Sequence, residues 1–110
     1  MNTLNSLILE LGARHKTRNA VYVEGRHYTY AELVGTALRL AHTIRADGPD
    51  RGSQRIAIFC YRSFAAYAAI LGSVLAGAAY VPLNPRFPDE RNRQIISAAN
   101  CSIILTEEKY

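Results

Sequence analysis

At 110 residues, 49% hydrophobic and 20% charged, the chain has the size and balance of one small folded domain or a part of a larger one, which excludes a disordered or low-complexity segment. Its formal net charge of +4 rests on arginines scattered from Arg14 to Arg93, with no basic stripe interleaved by aromatics, so the expectation is a solvated surface and no nucleic-acid partner. The cysteines Cys60 and Cys101 form no C-x-x-C and sit in or beside apolar runs, which predicts buried thiols in a reducing compartment. The N-terminus lacks the basic start and cleavage site of a signal peptide, and a cytoplasmic location is expected.

Leu4, Leu7, Ile8 and Leu11 recur at helical spacing, and Gly12 is read as the stop of that helix. Ala20 to Val23 and His27 to Thr29 flank the turn Glu24-Gly25-Arg26 and predict a β-hairpin. Thr29 and Glu32 have capping-box spacing, so a helix is expected there, with Leu33, Ala37, Leu40, Ala41 and Ile44 on one apolar face and Asp47-Gly48-Pro49-Asp50 as its end.

Arg55 to Tyr61 is a near-continuous apolar run of the kind found in parallel sheets. Ser63 is placed to cap a buried helix from Phe64 to Ala76, on which Ala65, Ala69, Ser73 and Gly77 form a row of small residues expected to let a neighbouring backbone approach. The whole of 63–83 is uncharged, yet it is rich in alanine and glycine and contains Pro82, so it reads as a buried helix and strand, with no membrane partner. Ala79 to Leu83 is the next strand. Pro88-Asp89-Glu90 opens a helix to Ala99, with Asn100 as a left-handed stop and Ser102 to Leu105 as a last strand. This alternation predicts an α/β fold, mainly a parallel sheet with helices on both faces, preceded by the hairpin. Ending just after a buried-looking strand, residues 1–110 are expected to be an incomplete N-terminal segment of a larger domain.

Ligands of open α/β sheets bind beyond the carboxyl ends of the strands, here occupied by Arg62 and Ser63, and by Asn84, Pro85 and Arg86. Neither set pairs a nucleophile with a base or two carboxylates. Gly72 to Gly77 has phosphate-loop glycine spacing, but Ala78 and Ala79 follow where Lys and Ser or Thr are needed. His15, His27 and His42 lack metal-ligand spacing, and Tyr28, Tyr30, Tyr61, Tyr67 and Tyr80 read as edge-of-core packing. The residues alone therefore predict no catalytic, cofactor-binding or metal site.

Three segments in register resemble the start of the adenylate-forming (AMP-binding) superfamily: Tyr28-Thr29-Tyr30-Ala31-Glu32-Leu33; Arg55-Ile56-Ala57-Ile58 with Tyr61-Arg62-Ser63; and Val74 to Pro85, continuing into Phe87-Pro88-Asp89-Glu90-Arg91. The third is similar to the family's Leu-Lys-Ala-Gly-x-Ala-Tyr-Val-Pro-Leu-Asp-Pro-x-Tyr-Pro-x-Glu-Arg. It looks closest to amino-acid adenylation domains of nonribosomal peptide synthetases, with acyl-CoA synthetases also open. Asn84 stands where the family favours Asp, Asn92 where an apolar residue is usual, and residues 50–54 lack the usual Gly-Asp.

The resemblance implies an ATP-dependent ligase. A carboxylate attacks the ATP α-phosphate to give an acyl-adenylate and pyrophosphate, and the acyl group then passes to a thiol. ATP and magnesium are implied for the full-length family member, with coenzyme A or phosphopantetheine as acceptor and a carrier protein among the partners. The family's phosphate loop, Tyr-Gly-x-Thr-Glu segment and C-terminal lysine are not in these residues, so the chain alone is expected to be inactive and to need the remainder of the domain in cis or in trans. Arg86 and Arg91 are candidates for the phosphates of an incoming thiol arm, with surface salt bridging the expected role of both. A non-catalytic split subunit and a small stand-alone α/β binding module are the alternative readings.

Overall fold

The computed structural model describes residues 4–47 and 54–107. Helix α1 (Leu4–Arg14) leads into strands β1 (Asn19–Val23) and β2 (Arg26–Thr29), helix α2 (Tyr30–Asp47), strand β3 (Arg55–Phe59), helix α3 (Phe64–Leu75), strand β4 (Ala79–Leu83), helix α4 (Asp89–Ala99) and strand β5 (Ile103–Thr106). Beyond Asp47, the expected helix-ending segment lies outside the described residues.

Local chemistry fixes the early elements. Strands β1 and β2 pair antiparallel with Val23 opposite Arg26. The two loop residues, Glu24 and Gly25, both have left-handed φ (52° and 76°), the geometry that matches the twist of a tight hairpin. At the next boundary Thr29 N–H donates to Glu32 Oε1 at 3.0 Å and Glu32 N–H donates to Thr29 Oγ1 at 3.2 Å, the reciprocal capping box expected from the sequence.

The sheet order is β4-β3-β5, all parallel. The two connections from the central strand region run to opposite sides of β3, so right-handed crossovers place α3 and α4 on opposite faces. Cover is uneven. Ile56 and Ile58 join a core with Ala69 and Leu75 of α3, Val34, Ala37, Ala41 and Ile44 of α2, and Ile8 of α1. Among the described residues the other face has α4 alone, and a cleft of about 260 Å³ remains there, lined by Phe59, Leu83, Asn92, Ile96 and Ile104 among others. Ile104 is 53% exposed.

Two boundaries differ from the sequence reading by two residues. Gly12 does not stop α1, which continues to Arg14. It is the point where α1 meets α2: a Cβ there would lie 2.9 Å from Val34 Cβ. Strand β3 ends at Phe59, two residues short of Tyr61, because Arg62 takes a left-handed φ of 46° that turns the chain into the Ser63 cap of α3.

The small-residue row is also corrected. Ala69 and Ser73 are buried, but Gly77 is exposed, at φ 76°, with nothing within 4 Å of a Cβ. It is the left-handed terminus of α3: Gly77 N–H donates to Val74 O and Ala78 N–H to Ser73 O, the paired bonds of a Schellman end. Gly72 is the close contact instead. A Cβ there would lie 2.9 Å from Leu40 Cβ and 3.0 Å from the Ala37 carbonyl oxygen. The left-handed stop expected at Asn100 is present, at φ 57° and ψ 49°.

Candidate functional site

The carboxyl ends of β3, β4 and β5 converge on one edge of the sheet, where a parallel α/β fold presents its ligand-facing loops. Ser63, 1% exposed, accepts from Ala66 N–H and donates its hydroxyl to Glu107 Oε1. A serine so enclosed and so bonded ties the end of β5 to the start of α3. Its burial keeps the hydroxyl from solvent, and both of its hydrogen bonds are structural. Thr106 Oγ1 donates to the Phe59 carbonyl at 3.2 Å, fastening β5 to β3 at the same edge.

Beside them, Asn84 Oδ1 accepts from Arg86 N–H at 2.9 Å, and Asn92 Nδ2 donates to the Asn84 carbonyl at 2.9 Å. Both asparagines thus shape the exit from β4. Asn92 is 4% exposed, and its Oδ1 is without a hydrogen-bond partner among the described residues.

Arg62 and Arg86 both approach the ring of Tyr61, with guanidinium carbons 5.2 and 4.9 Å from its centroid. Arg91 lies 4.4 Å from the Phe87 centroid. Salt bridging was the expected role of Arg86 and Arg91. In the structure both lie against aromatic faces, and ion pairs join Arg14 to Glu10 and Arg26 to Glu32. Sequence reasoning missed the Tyr61 cluster because Arg86 reaches it only through the β3-α3-β4 crossover. A second stack, Arg26 over Tyr28 at 4.4 Å and Tyr28 on Phe64 at 4.1 Å, clamps the hairpin to the start of α3.

The glycines of 72–77 lie within and at the end of α3, with Gly72 buried against α2, so no loop of free amides is there to cradle phosphate. Among the described residues no group of three or more His, Cys, Asp or Glu is arranged for a metal ion, and no helix is long and apolar enough to cross a membrane. His27 packs on Tyr22 at 4.5 Å, and His42 borders a cleft with Arg45, Leu9 and Leu38.

Two ionisations are displaced. The backbone N–H of Thr29 holds the Glu32 carboxyl below its ordinary range, assisted by the charge of Arg26 and the Thr29 hydroxyl and opposed by burial. Burial pushes the Cys101 thiol up, against the pull of Arg55, which leaves it a poor nucleophile. Neither cysteine is in a disulfide; Cys60 is buried and Cys101 partly so.

This architecture is that of a known group. Surfactin synthase subunit 1 of Bacillus subtilis is 37% identical over 108 residues, covering 96% of this chain and 3% of that subunit. Among solved structures, the nonribosomal peptide synthetase FmoA3 in its alpha-methyl-L-serine-AMP bound form matches with a TM-score of 0.89 at 28% identity, over 96% of this chain and 12% of that one. The Vibrio cholerae adenylation domain AlmE, in complex with glycyl-adenosine-5'-phosphate, matches with a TM-score of 0.82 at 32% identity, over 99% of this chain and 20% of that one. The chain thus spans a small fraction of the length of these relatives. The model of the AMP-binding enzyme family matches residues 10–110, and the chain belongs to that family.

Proposed function

We propose that residues 1–110 are the N-terminal segment of an adenylation domain that activates a carboxylate, in the first instance an amino acid, as its acyl-adenylate. The observation that carries this reading is the joint match of sequence and fold to two structures holding aminoacyl adenylates, at 28% and 32% identity. The part played by this segment is structural. The capped, parallel β3-α3-β4 unit supplies a rigid sheet against which the rest of the domain is built. ATP, magnesium and a thiol acceptor, on a carrier protein or as coenzyme A, are handled by groups outside it. A cytoplasmic setting fits two cysteines that form no disulfide.

The chain alone is expected to give no pyrophosphate exchange with any amino or fatty acid. A chimaera joining it in register to the downstream part of an adenylation domain is expected to restore amino-acid-dependent exchange. Exchange by the 110-residue chain above a no-protein control, or a folded chimaera inactive where the parent domain is active, overturns the reading.

A further inference from the structure

Among the described residues the parallel sheet is well covered on one face and thinly on the other. Ile103 and Leu105 of β5 pack against the cluster that α2 and α3 build. Ile104, between them, faces the opposite way and lines the α4 cleft with Phe59, Leu83 and Ile96. Asn92 borders the same cleft. Its Nδ2 donates to the Asn84 carbonyl, which fixes the orientation of the amide, and its Oδ1 is buried without a partner among the described residues. A buried acceptor left without a donor is costly. Purely aliphatic cover would close over this oxygen and leave it so. The side chains that cover this face therefore include a hydrogen-bond donor.

Topology says where that cover comes from. The chain crosses from β3 to β4 in one direction and from β4 past β3 to β5 in the other, so right-handed crossovers set α3 and α4 on opposite faces. A connection that leaves β5 and adds a parallel strand beyond it moves in the same direction as the one that made β5. Its helix then lies on the α4 face, over Ile104 and beside Ile96. A return to the β4 edge would instead send that helix to the face where α1, α2 and α3 already pack. A helix also narrows the kind of donor. Its own backbone N–H groups are used within it, so a side-chain hydroxyl, amide or cation supplies the bond to Asn92.

We infer that the crossover following β5 lays a helix of the same domain in the α4 cleft, and that one side chain of this helix donates to Asn92 Oδ1. The inference rests on the adenylation-domain reading above, so its test uses a chimaera whose downstream part comes from surfactin synthase subunit 1 and which retains amino-acid-dependent exchange. Ile104→Cys is introduced in a Cys101→Ser background. Its thiol should react with a maleimide in the 110-residue chain and about tenfold or more slowly in the chimaera, whereas Gln94→Cys, exposed on α4, should react alike in both. A glutamine scan along the first downstream helix then seeks the donor. At one position glutamine should raise the Tm of the chimaera carrying Asn92 and lower that of the chimaera carrying Asn92→Leu. An active chimaera in which Ile104→Cys stays reactive overturns the inference while the domain reading stands. So does a scan with no such position, or a dimer of the 110-residue chain that shields Ile104→Cys. A folded but inactive chimaera overturns the domain reading and this inference with it.

Discussion

The Thr29 and Glu32 pair shows how one residue sets an element boundary. Because the Glu32 carboxyl is held below its ordinary value, its contribution to stability is fully present above the ordinary glutamate range. It is lost as pH falls through the lower folded value. In thermal melts the gap between the native chain and Glu32→Gln should therefore be widest near neutral pH and close in acid; a gap constant over that range would show that the carboxylate is not the cap. Thr29→Ala, which removes the hydroxyl that accepts from Glu32 N–H, should cost about 0.5–2 kcal/mol of stability. Such pairs were legible in the sequence because partner and partner lie three residues apart. Ser63 and Asn100 were legible for the same reason. The Tyr61 cluster and the orphan Oδ1 of Asn92 were not, since their surroundings come from other strands and helices.

At the level of elements, the kinds and order of helices and strands follow from hydrophobic period and punctuation, and all nine lie within a few residues of where periodicity puts them. Which face of a helix meets which neighbour does not follow, because an all-round apolar helix such as α3 has no preferred side in its sequence. Hence the close approach falls at Gly72, one residue before the row of small side chains, and Gly12 acts as a contact and not as a stop. Two glycine substitutions of opposite sign follow. Gly72→Leu overpacks the α2-α3 contact and should destabilise by about 1–3 kcal/mol. Gly35→Ala, inside α2 with open space around its Cβ, should stabilise by about 1 kcal/mol. Denaturant melts of the two check the assignment; shifts in the same direction would contradict it.

For the whole molecule, the parallel sheet was legible from alternating elements, whereas the order β4-β3-β5 was not, since it is set by the handed crossovers. The uneven cover of that sheet has a solution consequence. With α4 alone on one face, the cleft at Phe59, Leu83 and Ile104 is an apolar surface open to small hydrophobic probes. The chain should bind a hydrophobic dye, and Ile104→Thr should reduce the signal while leaving secondary structure intact. A dye-negative, sharply two-state monomer would mean that the face needs no further cover.

The central place of β3 also orders the molecule in time. Its amides and carbonyls are bonded on both sides, to β4 and to β5, while among the described residues each of those strands is paired on one side. Opening either outer strand leaves β3 half protected, so exposing β3 requires the sheet to come apart as a unit. In native-state hydrogen exchange, the amides of Ile56 to Ile58 should be the last to exchange, and those of β5, a short strand reached only after two crossovers, the first in the sheet.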